Sequence, residues 1–142
     1  MTAPTPHEWQ HHLEDEADAA FLYRELAAAE IDPGKRRIYQ ELAHVEDRHT
    51  EIWRKLITDA GHAVPQVRPS LRARTLAWLA RRFGPGFLLP MLLEEEGREV
   101  KGYLSLYQRT PAGNAQDAAL LLARESAQHA QSLSGLAGDR KS

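Results

Sequence analysis

A chain of 142 residues without cysteine carries no disulfide framework, no thiolate zinc or iron–sulfur site and no thiol nucleophile, so any metal must be held by oxygen and nitrogen. Its 18 basic residues are matched by 20 acidic ones, and a formal charge of −2 offers no electrostatic footprint for nucleic acid. The length suits one domain, and the longest apolar run, Phe87 to Leu93 with Pro90 inside it, is too short to cross a bilayer. Met1 to Pro6 lacks the basic and apolar regions of a signal peptide, so a soluble, cytoplasmic chain is expected.

After a Pro-rich start expected to be unstructured over residues 1–6, residues 7–30 read as helix 1, rich in Ala, Leu and Glu, with an inward stripe of Leu13, Glu16, Ala20, Tyr23 and Ala27. Asp32-Pro33-Gly34 is a tight turn, which sets helix 2, residues 35–60, antiparallel to helix 1. The apolar period of helix 2 runs Ile38, Leu42, Val45, His49, Ile52, Leu56, with Glu46 flanking His49 one turn earlier. Residues 61–85 form a crossover: an extended stretch with Pro65 and Pro69, then a short helix from Leu71 to Phe83. That helix bears Arg72, Arg74, Arg81 and Arg82 and is expected to pack Trp78 and Leu79 inward, the other reading being contact with anionic lipid. Helix 3 covers residues 86–109 with Pro90 in its first turn, and Thr110 to Gly113 is a second tight turn. Asn114 is the expected N-cap of helix 4, residues 114–137, and Gly138 to Ser142 the expected frayed tail. No strand period appears. The fold class expected is all-α, a four-helix bundle with a long crossover containing a short helix between helices 2 and 3, forming one domain over 1–142.

An offset of 80 residues aligns Leu13, Glu16, Tyr23 and Leu26 with Leu93, Glu96, Tyr103 and Leu106, then Leu42, Ala43, His49 and Leu56 with Leu122, Ala123, His129 and Leu136. Shared packing accounts for the leucines and alanines but not for glutamates and histidines recurring at core positions. The Glu46/His49 pair taken alone reads equally as a hydrogen-bonded core histidine; the repeat points instead to a metal site. Helix 3 adds Glu99, so the core collects Glu16, Glu46, His49, Glu96, Glu99 and His129. The copy breaks where Glu46 meets Ser126, and Glu125, one residue earlier, projects about 100° away around the helix. Carboxylates crowded into a core stay ionised only with cations, and one imidazole per metal among carboxylates suits two ions of iron, or of manganese. A bridged pair suits two-electron work on dioxygen or peroxide, with Glu46 or Glu99 as the expected bridge. Tyr23 and Tyr103, two turns beyond Glu16 and Glu96, are placed either to reach a carboxylate of a neighbouring helix or simply to pack.

Glu16 with Tyr23, Glu46-x-x-His49, Glu96-x-x-Glu99 and a final Glu with His129 together resemble the ferritin-like, rubrerythrin-type di-iron proteins over nearly the whole chain. The run Leu79-Ala80-Arg81-Arg82-Phe83-Gly84 to Leu89-Pro90 is similar to the cytoplasmic ferritin-like domain that membrane-bound ferritins fuse to a vacuolar-iron-transporter-type membrane domain. The resemblance implies two iron ions, Fe(II) oxidised by oxygen or peroxide, a role in iron detoxification or transport, a homodimer, and a membrane iron-transporter domain as partner at the cytoplasmic face. Ser126 departs from the family's fourth-helix glutamate, which leaves Glu125 as the candidate ligand there, and no cysteine-rich rubredoxin segment is present. The alternative is a metal-sensing or docking module without turnover, and the third reading a metal-free helical scaffold. His7, His11 and His12 read as solvated positions at a helix start, with a surface entry site for transition metal as the other reading, and His44 and His62 as surface.

Overall fold

The computed structural model describes residues 5–141, with side chains described through 136. Among these the chain is all-helical, without a strand: α1 (Pro6–Ala29), α2 (Pro33–Asp59), α3 (Leu71–Phe83), a 3-10 turn (Pro85–Leu88), α4 (Leu89–Arg109) and α5 (Asn114–Lys141). Local chemistry sets the ends. The Thr5 side chain accepts from the Glu8 N–H with Pro6 opening α1, and Asp32 accepts from the Lys35 N–H with Pro33 opening α2. Ser70 caps α3 by accepting from the Ala73 N–H, while Asp18 of α1 accepts from both the backbone and the hydroxyl of Ser70, so the start of α3 is tied to α1. Gly84, at φ 95°, makes the left-handed break after α3 that a side chain would resist.

Several ends differ from expectation. Thr5 and Pro6 belong to the start of α1, and residues 1–4 of the expected unstructured start lie outside the described residues. Helix 3 was expected from residue 86; the chain first makes the 3-10 turn and becomes α-helical at Leu89, with Pro90 in the first turn where its missing N–H costs nothing. Asn114 is already helical, and the Gly113 carbonyl accepts from Asp117 to close the first turn. The expected frayed tail is helical to Lys141, while Ser142 lies outside the described residues.

α1 packs along α2 and α4 along α5; α2 also meets α5, and α3 lies on α1. The buried apolar residues divide into two clusters. One gathers Leu22, Tyr23, Leu26, Leu42, Leu92 and Leu133 with Ala77 and Ala80 of α3; the other gathers Leu13, Trp53, Ile57, Tyr103, Leu106 and Leu122. Along each of the four long helices a polar position falls between them: Glu16, Glu46 with His49, Glu96, and Ser126 with His129, all buried. Advancing 80 residues carries Tyr23, Leu26 and Leu42 of the first cluster onto Tyr103, Leu106 and Leu122 of the second. The repeat therefore exchanges the two ends of the molecule about the polar layer.

Two expected faces are rotated. On α2 the buried stripe is Tyr39, Leu42, Ala43, Glu46, His49, Thr50, Trp53 and Ile57, whereas Ile38, Val45, Ile52 and Leu56 are half-buried flanks. Glu46 is thus at the centre of the face, not beside it. On α3 the inward residues are Ala73, Ala77 and Ala80, and Trp78 points out, because small side chains let α3 lie close on α1. No described helix is long and apolar enough to cross a membrane.

Candidate metal centre

The polar layer brings one imidazole and one carboxylate from opposite sides onto Glu46. His49 Nδ1 lies 3.0 Å from Glu16 Oε2 and 3.7 Å from Glu46 Oε2, and His129 Nδ1 lies 3.0 Å from Glu46 Oε1 and 3.5 Å from Glu96 Oε1. The two rings lie nearly parallel with centroids 6.0 Å apart. Two groups able to hold a metal ion result, Glu16–Glu46–His49 and Glu46–Glu96–His129, in each of which one ligand atom per residue lies within 4.8 Å of the others. Glu46 belongs to both. Two tyrosines close the layer reciprocally: Tyr23 of α1 donates to Glu96 of α4 at 2.7 Å, and Tyr103 of α4 donates to Glu16 of α1.

Burying such groups costs several kcal/mol unless they are paired or coordinated. Both oxygens of Glu46, Glu96 Oε2 and both ring nitrogens of His129 are buried without a hydrogen-bond partner in the protein. The close approach of His129 to Glu46 is therefore charge proximity at an angle poor for a hydrogen bond, and these unpartnered atoms are the donor set a metal ion fits. Protonation already expresses part of the conflict. Burial opposes the charged form of His129, yet Glu46 and Glu96 outweigh it and hold the imidazolium up to about 9. Burial likewise opposes the Glu46 carboxylate, and His129 and His49 outweigh it, so its pKa falls. Glu99 has no such compensation: burial, then the charges of Glu96 and Glu46, push its carboxyl well up. Tyr23 is pushed up by burial and by Glu96, and Tyr103 by burial and Asp15, so both phenols stay protonated as donors.

The remaining expected residues lie at the margins of this arrangement. Glu99 stands outside the two groups, half-buried on a groove of about 470 Å³ between α1, α3 and α4, where it accepts from the Ser126 hydroxyl at 3.3 Å. Of the two expected bridges, Glu46 occupies the shared place. Glu125, expected beside His129 on its own helix, instead places Oε2 2.9 Å from His49 Nε2 across the interface with α2, where Arg48 also approaches it at 3.5 Å. The length of its side chain overcomes the 100° offset. His12, expected to be solvated, is half-buried and stacked on Trp53 at 4.8 Å and tilted against Tyr103 at 5.2 Å; burial lowers its pKa to about 4. The offset of 80 contained a sign of this pair, since His12 and Trp53 stand where the other half has Leu92 and Leu133. His7, His11, His44 and His62 are exposed. Comparison with protein-family models, with curated proteins and with solved structures found no match for this chain.

Proposed function

We propose that the chain is a ferritin-like four-helix bundle, α1, α2, α4 and α5 with α3 in the crossover, that binds two ions and oxidises Fe(II) with oxygen or peroxide. The observation that carries the reading is Glu46, wholly buried, its two oxygens without a hydrogen-bond donor, between two imidazole–carboxylate groups. Glu16, Glu46 and His49 would hold one ion and Glu46, Glu96 and His129 the other, with Glu125 on the opposite ring nitrogen of His49 orienting that imidazole; oxygen donors with one imidazole each suit iron, and manganese next. A bound iron pair supplies one electron per ion, the two that reduce dioxygen to peroxide or peroxide to water.

The chain's own groups have separable tasks. Tyr23 and Tyr103 fix the orientation of Glu96 and Glu16 by occupying one oxygen of each; the other oxygen has no hydrogen-bond partner in Glu96 and faces His49 Nδ1 in Glu16. Glu99 holds a proton at the margin of the groove, on the oxygen that does not accept from Ser126, and passes it between solvent and the layer. In the cell this activity serves iron detoxification or supplies a transporter.

Anaerobic titration with Fe(II), followed by oxygen uptake, tests the reading. Two ions per chain with oxygen consumed in proportion are expected. No bound iron, with a melting temperature indifferent to metal and chelator, would reduce the chain to a scaffold. Ser126 in place of a carboxylate on α5 favours a second reading, a sensing or docking module; that reading expects iron bound, no oxygen consumed, and a change in self-association or partner binding.

A further inference from the structure

Between Asp59 and Glu94 the chain has Arg68, Arg72, Arg74, Arg81 and Arg82 and no acidic residue, a formal +5 in a chain whose total is −2. Two of these arginines, Arg74 and Arg82, lie on the outward surface of α3 together with large apolar side chains. With Ala73, Ala77 and Ala80 turned onto the rest of the molecule, the opposite side of α3 presents Leu71, Arg74, Trp78 and Arg82, spaced three and four residues apart and all exposed. Arg72 and Arg81 are tied to Glu95 and Glu25. Arg68 and Arg74 have no acidic group within ion-pair distance among the described residues, and the Arg82 guanidinium lies 5.3 Å above the Phe83 ring. At the end of α3, Phe83 and Phe87 pack at 5.4 Å and share a shallow groove with Ile31 from the turn between α1 and α2. Leu71 and Trp78 on that side of α3, and Phe83, Phe87 and Ile31 around its end, each leave more than half of their surface exposed.

We infer that this face docks on an anionic phospholipid bilayer, α3 lying in the plane of the surface. Both halves of the chemistry are needed for that occupant: arginines for lipid phosphates, and Leu, Ile and Phe side chains long enough to enter the acyl boundary with Trp78 at the headgroup level. A nucleic acid would use the arginines and leave the aliphatic side chains unsatisfied. The 13 residues of α3 are too few to span, so the contact is interfacial. The inference does not depend on the metal centre.

The test is cosedimentation of the full chain with vesicles of phosphatidylglycerol in phosphatidylcholine, against phosphatidylcholine alone, with tryptophan emission recorded in parallel. Binding to the anionic vesicles only, weakening with salt and accompanied by a blue shift that Trp78→Phe removes, is the expected result. Arg74→Gln with Arg82→Gln should weaken binding about thirty-fold, from about a factor of five per arginine near an anionic surface. Because both positions are exposed, circular dichroism should not change. Absence of binding to anionic vesicles at low salt, or equal binding to both vesicle types, would overturn the inference. So would sedimentation velocity showing a dimer that Trp78→Ala converts to monomer, which would assign the face to a second copy of the chain.

Discussion

Tyr23 and Tyr103 make the same hydrogen bond on opposite sides of the Glu/His layer, yet their neighbours differ. Tyr23 shares its cluster with Leu92 and Leu133; at the equivalent positions around Tyr103 stand His12 and Trp53, with ring centroids 5.2 and 6.1 Å away. The two ends therefore keep the tyrosine, the glutamate it serves and the histidine, while the packing around them has diverged from aliphatic to aromatic. Packing alone would retain the packing. Besides shared leucines and alanines the repeat retains this polar set, and its break at Ser126, opposite Glu46, leaves a single carboxylate shared by both imidazoles.

That sharing yields the largest predicted effect. Glu46→Ala should remove both ions at once with helicity intact, whereas Glu125→Ala should spare the Glu46–Glu96–His129 group; metal analysis after anaerobic loading separates the two. Tyr103→Phe and Tyr23→Phe each take one donor from a ligating carboxylate and should lower metal affinity 10- to 100-fold, as outer hydrogen-bonding partners of metal ligands do. Calorimetry with Mn(II) should show Tyr103→Phe weakening the group that contains Glu16 and Tyr23→Phe the group that contains Glu96. Ser126→Glu restores the symmetry at a fully buried position. It should destabilise the metal-free protein by about 1–3 kcal/mol through overpacking and return part of that loss when metal is added, read from thermal melts with and without Mn(II).

The smallest effect is in pH dependence, where His12 and His129 have opposite sign. His12 is held neutral with its pKa lowered to about 4, so the unfolded chain takes up a proton first as pH falls below 6.5. The wild type should lose stability relative to His12→Leu between pH 6.5 and 4. His129, raised to about 9, contributes stability that is complete below 6.5 and lost as pH rises through 9. Relative to His129→Gln, metal-free wild type should therefore weaken from pH 6.5 to 9. Urea unfolding of the metal-free proteins at three pH values tests both signs.

Much of this was legible before the structure. Proline- and glycine-bearing turns separated the long helices, and the 80-residue offset picked out Glu16, Glu96, His49 and His129 because polar residues at core phase are improbable by packing alone. The misreadings share a cause. Hydropathy ranked Ile38, Val45 and Ile52 above Tyr39, Glu46 and Trp53 and so turned α2 away from its true face, where the centre is aromatic and charged. The same ranking put Trp78 inside, although the distance of closest approach between α3 and α1 selects alanine. Glu125 and His12 depend on groups from other helices, His49 Nε2 and the Trp53 ring, and no pattern within one helix encodes those contacts.

The central claim, one carboxylate shared by two ions, is met most directly by anomalous diffraction at the iron edge from crystals loaded with Fe(II) without oxygen. Two peaks are predicted, both in contact with Glu46, one beside Glu16 and His49 and the other beside Glu96 and His129. No peak in the layer, or peaks that leave Glu46 uncoordinated, would contradict the account.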